Sequence, residues 1–263
     1  MAPTGSTLRF RRLRGVGGRI FLAALDHGLP AGPLPGIEGP GDFLHRLRGG
    51  PVTGAILNPG IAACLASQAT WLPALVIHLS AGTLLATEPA SKVLSATVES
   101  AAARGADAVS VQIHFGTRME GRMVADAGTV VDEASAFGLP VLAMAYGPSA
   151  PGSPSSDAEA TRHAVRAATE LGVSLVQTSF AGDSEDLRSV VRACPVPLLF
   201  AGGPRASSPD AWLASIRDAM DAGAAGITAG RNLFQAADPA AFANQIGEAI
   251  FGAHPLQGVG GEG

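Results

Sequence analysis

Four times along the chain a helical stretch closes on a glycine and an apolar run begins within a few residues: Arg104-Gly105-Ala106-Asp107, Phe137-Gly138-Leu139-Pro140, Leu171-Gly172-Val173 and Ala222-Gly223-Ala224. Glycine is favoured there because the residue after a helix often takes a left-handed backbone conformation that costs other residues energy. These glycines recur at intervals of 33, 34 and 51 residues, the last interval holding one more strand and a short helix. Such spacing predicts βα units and a parallel sheet. Eight strand-like runs are present: Ile20–Leu25, Gly54–Leu57, Ala74–Leu79, Ala108–Ile113, Val141–Ala145, Ser174–Thr178, Pro197–Ala201 and Gly226–Ala229. Amphipathic helical patterns include Ser91–Arg104, Gly121–Phe137, Asp157–Leu171, Ser184–Arg192 and Pro209–Ala222. Eight units in 263 residues match the size of an α/β (β/α)8 TIM barrel, whose right-handed crossovers close the sheet. An open doubly wound sheet would need a glycine-rich fingerprint after its first strand, where this chain reads Leu25-Asp26-His27-Gly28-Leu29-Pro30. We therefore expect one barrel domain over 1–263, with 1–18 as an ordered lead-in, 258–263 as a frayed tail, and Gly147 to Ser156 as an active-site loop rather than a linker.

Composition narrows the partners. With 47% apolar and 15% charged residues the chain buries a large core and is not a disordered segment. A net charge of −4 and no broad basic block argue against nucleic-acid binding through phosphates. The longest apolar stretch, Trp71 to Ala86, is broken by Pro73, His78, Ser80 and Gly82, so no membrane span is expected. The basic start, Arg9 to Arg19, lacks the apolar stretch of a secretory signal. Cys64 and Cys194 alone make neither a disulfide framework nor a structural zinc site. The expectation is a cytoplasmic protein with a small-molecule partner. The basic residues are 17 Arg and a single Lys, Lys92, so an amine nucleophile has one side-chain candidate besides the N-terminus.

Barrels carry their chemistry at the C-terminal ends of the strands. The polar residues there are Asp26 and His27 after the first strand, His78 on the third, Gln112 and His114 on the fourth, Tyr146 after the fifth, and Gln177 and Ser179 on the sixth. Gly202-Gly203-Pro204-Arg205 follows the seventh and Gly230-Arg231-Asn232 the eighth. Glycines at these last two positions let backbone amides approach a phosphate, so a phosphorylated small molecule is the expected ligand, held by Gly202, Gly203, Gly230 and Arg231. The blander reading is ordinary turn glycines and a surface cation. Asp26 ends an apolar strand, where a carboxylate needs a task or a partner; acid/base duty and a turn cap are the two readings. Tyr146, the single tyrosine, is either a proton donor or a rim residue. His27, His78, His114 and Ser179 are second-rank candidates, and Asp107, at a strand start, reads as structural.

Leu25-Asp26-His27-Gly28, His78-Leu79-Ser80, Gly105-Ala106-Asp107-Ala108-Val109-Ser110, Glu170-Leu171-Gly172, Ala201-Gly202-Gly203-Pro204 and Gly226 to Gln235 together resemble the archaeal-type class I fructose-bisphosphate aldolase family, a DeoC/LacD-like group. Within it they are most similar to the 2-amino-3,7-dideoxy-D-threo-hept-6-ulosonate synthases. The resemblance implies a barrel that makes or breaks a carbon–carbon bond of a phosphorylated ketose or keto-aldehyde through a lysine imine, which serves as electron sink. It also implies a homo-oligomer, with decamers common in the group. The family lysine stands in a Val-Lys-Thr context where this chain has Val176-Gln177-Thr178. The family's Tyr-Pro-Arg-Gly becomes Tyr146-Gly147-Pro148-Ser149, Gln112 falls at a usual His position, and His114 at a usual Asn. A glutamine amide forms no imine, and drift of lysine toward arginine does not produce a buried Gln.

The leading reading is an aldolase-fold enzyme without an imine. Asp26 and Tyr146 exchange protons, Gln177 hydrogen-bonds a carbonyl or hydroxyl, and neither cofactor nor metal is needed. Isomerisation, dehydration, cyclisation or a modified aldol step suits that set. The alternatives are a non-catalytic sugar-phosphate binder, an imine aldolase using Lys92, and a metal-assisted aldolase with Asp26, His78 and His114 as ligands.

Overall fold

The computed structural model describes residues 4–66, 72–148, 157–203, 206 and 208–252. Ten strands run β1 (Ile20–Ala24), β2 (Gly54–Leu57), β3 (Ala74–His78), β4 (Ser80–Ala81), β5 (Val93–Leu94), β6 (Ala108–His114), β7 (Val141–Tyr146), β8 (Leu175–Ser179), β9 (Leu198–Ala201) and β10 (Gly226–Ala229). Eight of them close a barrel in the order β1-β10-β9-β8-β7-β6-β3-β2, every pairing parallel. This is the expected α/β fold, and each expected strand is present to within one residue at each end. The four punctuating glycines all take positive φ, at 81°, 62°, 89° and 98° in chain order.

Strand alternation sorts side chains into two cores. Inside the barrel lie Ile20, Leu22, Ile56, Val76, Ala108, Leu142, Met144, Leu175 and Leu199. Their neighbours along each strand, such as Phe21, Ile77, Val109, Val176 and Phe200, face outward toward the helices. At the strand starts, polar side chains stitch neighbours together: Asp107 Oδ2 accepts from Leu75 N at 3.0 Å, and Ser174 Oγ from Val141 N at 3.1 Å. Asp107 also pairs with Arg12 at 2.8 Å, the structural role expected of it.

The lead-in is ordered, and one expectation, the helix over Ser91–Arg104, needs correction. The lead-in carries a helix, Thr4–Arg12, and the fully buried Leu13, joined by Phe10, packs into the barrel interior from the N-terminal side. The stretch Ser91–Arg104 is not one helix. Val93–Leu94 pairs antiparallel with Ser80–Ala81 to form a small arm, and the helix starts only at Val98, where the Thr97 side chain accepts from Ser100 N. Lys92 therefore sits on this arm and not at a helix start. Among the described residues no helix is long and apolar enough to cross a membrane. Most of the expected active-site loop (149–156), Pro204, Arg205 and the tail 258–263 lie outside the described residues.

Candidate functional site

The interior positions turn polar toward the strand C-termini. On β8 the inward series is Leu175, Gln177, Ser179, and on β7 it is Leu142, Met144, Tyr146. At the same level Ala24 of β1 and Ala201 of β9 are small, which leaves room for a cavity of about 520 Å³. Asp26, His27, Lys92, His114, Tyr146, Gln177, Ser179, Gly202, Gly203, Gly230 and Arg231 all line it, as do Gln112 and Thr228. Of the named candidates only His78 stays out of it. That histidine lines a side chamber of about 20 Å³, shared with Asp26, Asn58, Ser80, Lys92 and Gln112.

At the centre, Gln177 Nε2 donates to the Tyr146 hydroxyl at 3.0 Å, while Gln177 Oε1 is buried without a hydrogen-bond partner. Burial drives the Tyr146 phenol up to about 12, although the bond from Gln177 works the other way, so the group stays protonated at neutral pH. The His114 ring stacks on Tyr146 at 5.2 Å, and its Nε2 lies 2.8 Å from Gln112 Nε2. Burial, helped by the positive charge of Lys92, pushes His114 down to about 4. Burial likewise holds His27 and His78 below the ordinary imidazole range, in both cases against the pull of Asp26. His27 and His78 thus both lie within electrostatic reach of Asp26, while His114 stands against Tyr146 and Gln112.

The β9 and β10 loops form one unit. Asn232 donates to Gly202 O at 3.1 Å and accepts from Ala206 N at 2.7 Å, tying the loop after β9 to the turn after β10. Gly203 takes φ 60°, and at Gly230 a Cβ would come within 2.5 Å of the His27 ring. Arg231 has no carboxylate partner among the described residues, and its Nε is buried without a hydrogen bond. Gly203 and Arg231 open onto the same cavity.

Asp26, His78 and His114 do not group as metal ligands. Among the described residues no cluster of three His, Cys, Asp or Glu side chains is arranged to hold a metal ion. The metal alternative is therefore corrected. Asn58 was missed: its Nδ2 donates to Asp26 O at 2.7 Å, and its Oδ1 is buried and unpartnered. A polar residue directly after the apolar run Gly54–Leu57 was the available signal.

The model for DeoC/LacD family aldolases matches residues 20–236. A 2-amino-4,5-dihydroxy-6-oxo-7-(phosphonooxy)heptanoate synthase of Streptomyces griseus is 35% identical over 250 residues, which cover 95% of this chain and 91% of the relative. A 2-amino-3,7-dideoxy-D-threo-hept-6-ulosonate synthase of Halobacterium salinarum is 34% identical, with 95% and 93% covered. An archaeal fructose-1,6-bisphosphate aldolase, solved with its catalytic Lys covalently bound to the carbinolamine intermediate of the substrate, superposes with a TM-score of 0.85 at 27% identity, covering 94% of this chain and 99% of that one. Sequence and architecture agree: the chain belongs to the DeoC/LacD family of aldolases.

Proposed function

We propose that this protein is an enzyme acting on a phosphorylated sugar or keto compound by acid/base chemistry, without the lysine imine that the archaeal aldolase uses. The observation that carries the reading is Gln177. It lines the centre of the cavity, bonded to Tyr146, and an amide nitrogen there cannot condense with a carbonyl. The relatives are named for phosphonooxy and bisphosphate compounds, which agrees with a phosphoryl anchor at Gly202, Gly203, Gly230 and Arg231. With the ligand fixed at that end, its reacting carbons lie among Asp26, Tyr146 and Gln177. Asp26 takes a proton from a carbon or hydroxyl. The protonated phenol of Tyr146 donates to the oxygen on which charge develops, and Gln177 adds a neutral hydrogen bond to the same oxygen or its neighbour. Isomerisation, dehydration, cyclisation and a modified aldol step all use this set.

Product analysis across a panel of phosphorylated ketoses and keto acids tests the reading. Turnover of at least one member, abolished by Asp26→Asn, is expected. Unchanged substrates across the whole panel, together with tight binding of one of them, support the second reading that the same glutamine allows: a sugar-phosphate binder without turnover.

A further inference from the structure

Beside the ligand cavity lies a part of the mouth that the acid/base reading leaves without a task, the side chamber of about 20 Å³. That volume suits a water molecule, provided several polar groups meet it. Asn58, 7% exposed, follows β2 and is fixed at one end of its amide: Nδ2 donates to Asp26 O at 2.7 Å, and Oδ1 is buried without a hydrogen-bond partner. Asp26 and Lys92 line the same chamber, and their charges act on each other: Asp26 supports the protonated amine against the burial that disfavours it. The other polar side chains there are engaged. His78 Nδ1 lies 2.9 Å from Ser110 Oγ, Ser80 Oγ accepts from Gln112 N at 2.9 Å, and Gln112 Nε2 meets His114. Among the described residues Asn58 Oδ1 is the buried polar atom of the chamber left without a partner.

The chamber and the cavity share a wall. Asp26, Pro30, Lys92 and Gln112 line both spaces. A water bound by Asn58 therefore sits against the same carboxylate that faces the ligand, with the ammonium beside it. A water that only fills space needs neither a base nor a cation, and this chamber supplies both.

We propose that the side chamber is the site of a reactant water, held by Asn58, Asp26 and Lys92, and that the protein catalyses the loss or gain of water by a phosphorylated hydroxy-carbonyl compound. This rests on the acid/base reading above and selects dehydration from the reactions it allows. In the direction of water loss, Asp26 takes the proton from the carbon next to the carbonyl. The electrons of that C–H bond move toward the carbonyl oxygen, to which the Tyr146 phenol donates a hydrogen bond. They return to form the carbon–carbon double bond as the C–O bond of the hydroxyl one carbon further along breaks. Asp26 passes its proton to the departing oxygen, Lys92 steadies the charge on that oxygen, and the water formed enters the chamber. Carboxylate and phenol end as they began, and no oxidant or co-reactant is consumed.

Mass balance across the panel of phosphorylated ketoses and keto acids tests this. The wild type is expected to turn over at least one member to a product lighter or heavier by one water. Asn58→Leu, which puts carbon in place of the accepting oxygen, should lower kcat about ten- to hundredfold, the scale of one buried hydrogen bond, while inorganic phosphate binds by calorimetry as tightly as to the wild type. A high-resolution crystal structure of the wild type should show a water within hydrogen-bond reach of both Asn58 Oδ1 and the Asp26 carboxylate, and this observation stands should Asn58→Leu not fold. Turnover to an isomer or to two carbon fragments overturns the inference and leaves the acid/base reading intact, whereas no turnover of any member overturns both. An unchanged kcat in folded Asn58→Leu, or a chamber that the crystal shows to hold no water, overturns it as well.

Discussion

The lower barrel and its mouth are built from the same eight strands with the same alternation, yet they differ in what faces inward. Below, Leu22, Ile56, Leu142, Leu175 and Leu199 fill the interior with aliphatic carbon. Two residues further along, β7 offers Tyr146 beyond Met144 and β8 offers Gln177 and Ser179. Asn58 Oδ1, Gln177 Oε1, Thr228 Oγ1 and Arg231 Nε are buried without partners at the mouth or its side chamber, whereas among the described residues only Asp126 Oδ2 and Trp212 Nε1, on outer helices, share that state away from it. Folding alone does not favour such groups, because each costs about 1–3 kcal/mol when left unmade. Their concentration at one end separates the part of the sheet that supplies stability from the part that awaits a ligand.

The sharpest way to break that division is to remove a mouth residue and find stability, not chemistry, affected. Asp26→Asn is expected to lower turnover by about 10²–10⁴-fold, the usual worth of a positioned acid or base, with little change in melting temperature. The mirror experiment lies below: Leu142→Ala removes a fully buried side chain and should cost about 2–5 kcal/mol in chemical denaturation, with ligand affinity of the folded fraction preserved. Arg231→Met should weaken inorganic phosphate binding about tenfold or more by calorimetry while leaving stability unchanged or raised, since an unpartnered guanidinium is removed.

How much of this was legible in the sequence follows the same line. The lower barrel was readable because strand alternation and helix-ending glycines act locally; Gly138 and Gly172 mark their helix ends wherever the rest of the chain lies. Asp26, Tyr146 and Gln177 were readable from position, since barrels carry their polar site at the C-terminal ends of the strands, but position did not tell them from His78, which lines the side chamber instead. The arm was not. Val93–Leu94 forms a strand only because Ser80–Ala81 comes alongside, a tertiary pairing no local pattern announces. Asn58 is marked by its place directly after the apolar run Gly54–Leu57, but its partner and those of the Asn232 clamp were hidden, because they are backbone atoms of distant loops.

A smaller effect sharpens the comparison through pH. His27, His78 and His114 are all held below 6.5, mainly by burial, and His114 falls to about 4. The unfolded chain therefore binds protons that the folded chain refuses, so stability falls as pH drops from about 6.5 toward 4. Melting curves across that range should show the decline, and His114→Gln should flatten it. An unchanged slope in that variant would mean that His114 is not held neutral by the mouth.

The most direct test of the central claim is borohydride reduction in the presence of fructose 1,6-bisphosphate, followed by intact mass and peptide mapping. The wild type is predicted to gain no adduct, while Gln177→Lys, which returns an amine to the centre of an otherwise unchanged cavity, gains one at residue 177. A reduced adduct on Lys92 in the wild type would contradict the account.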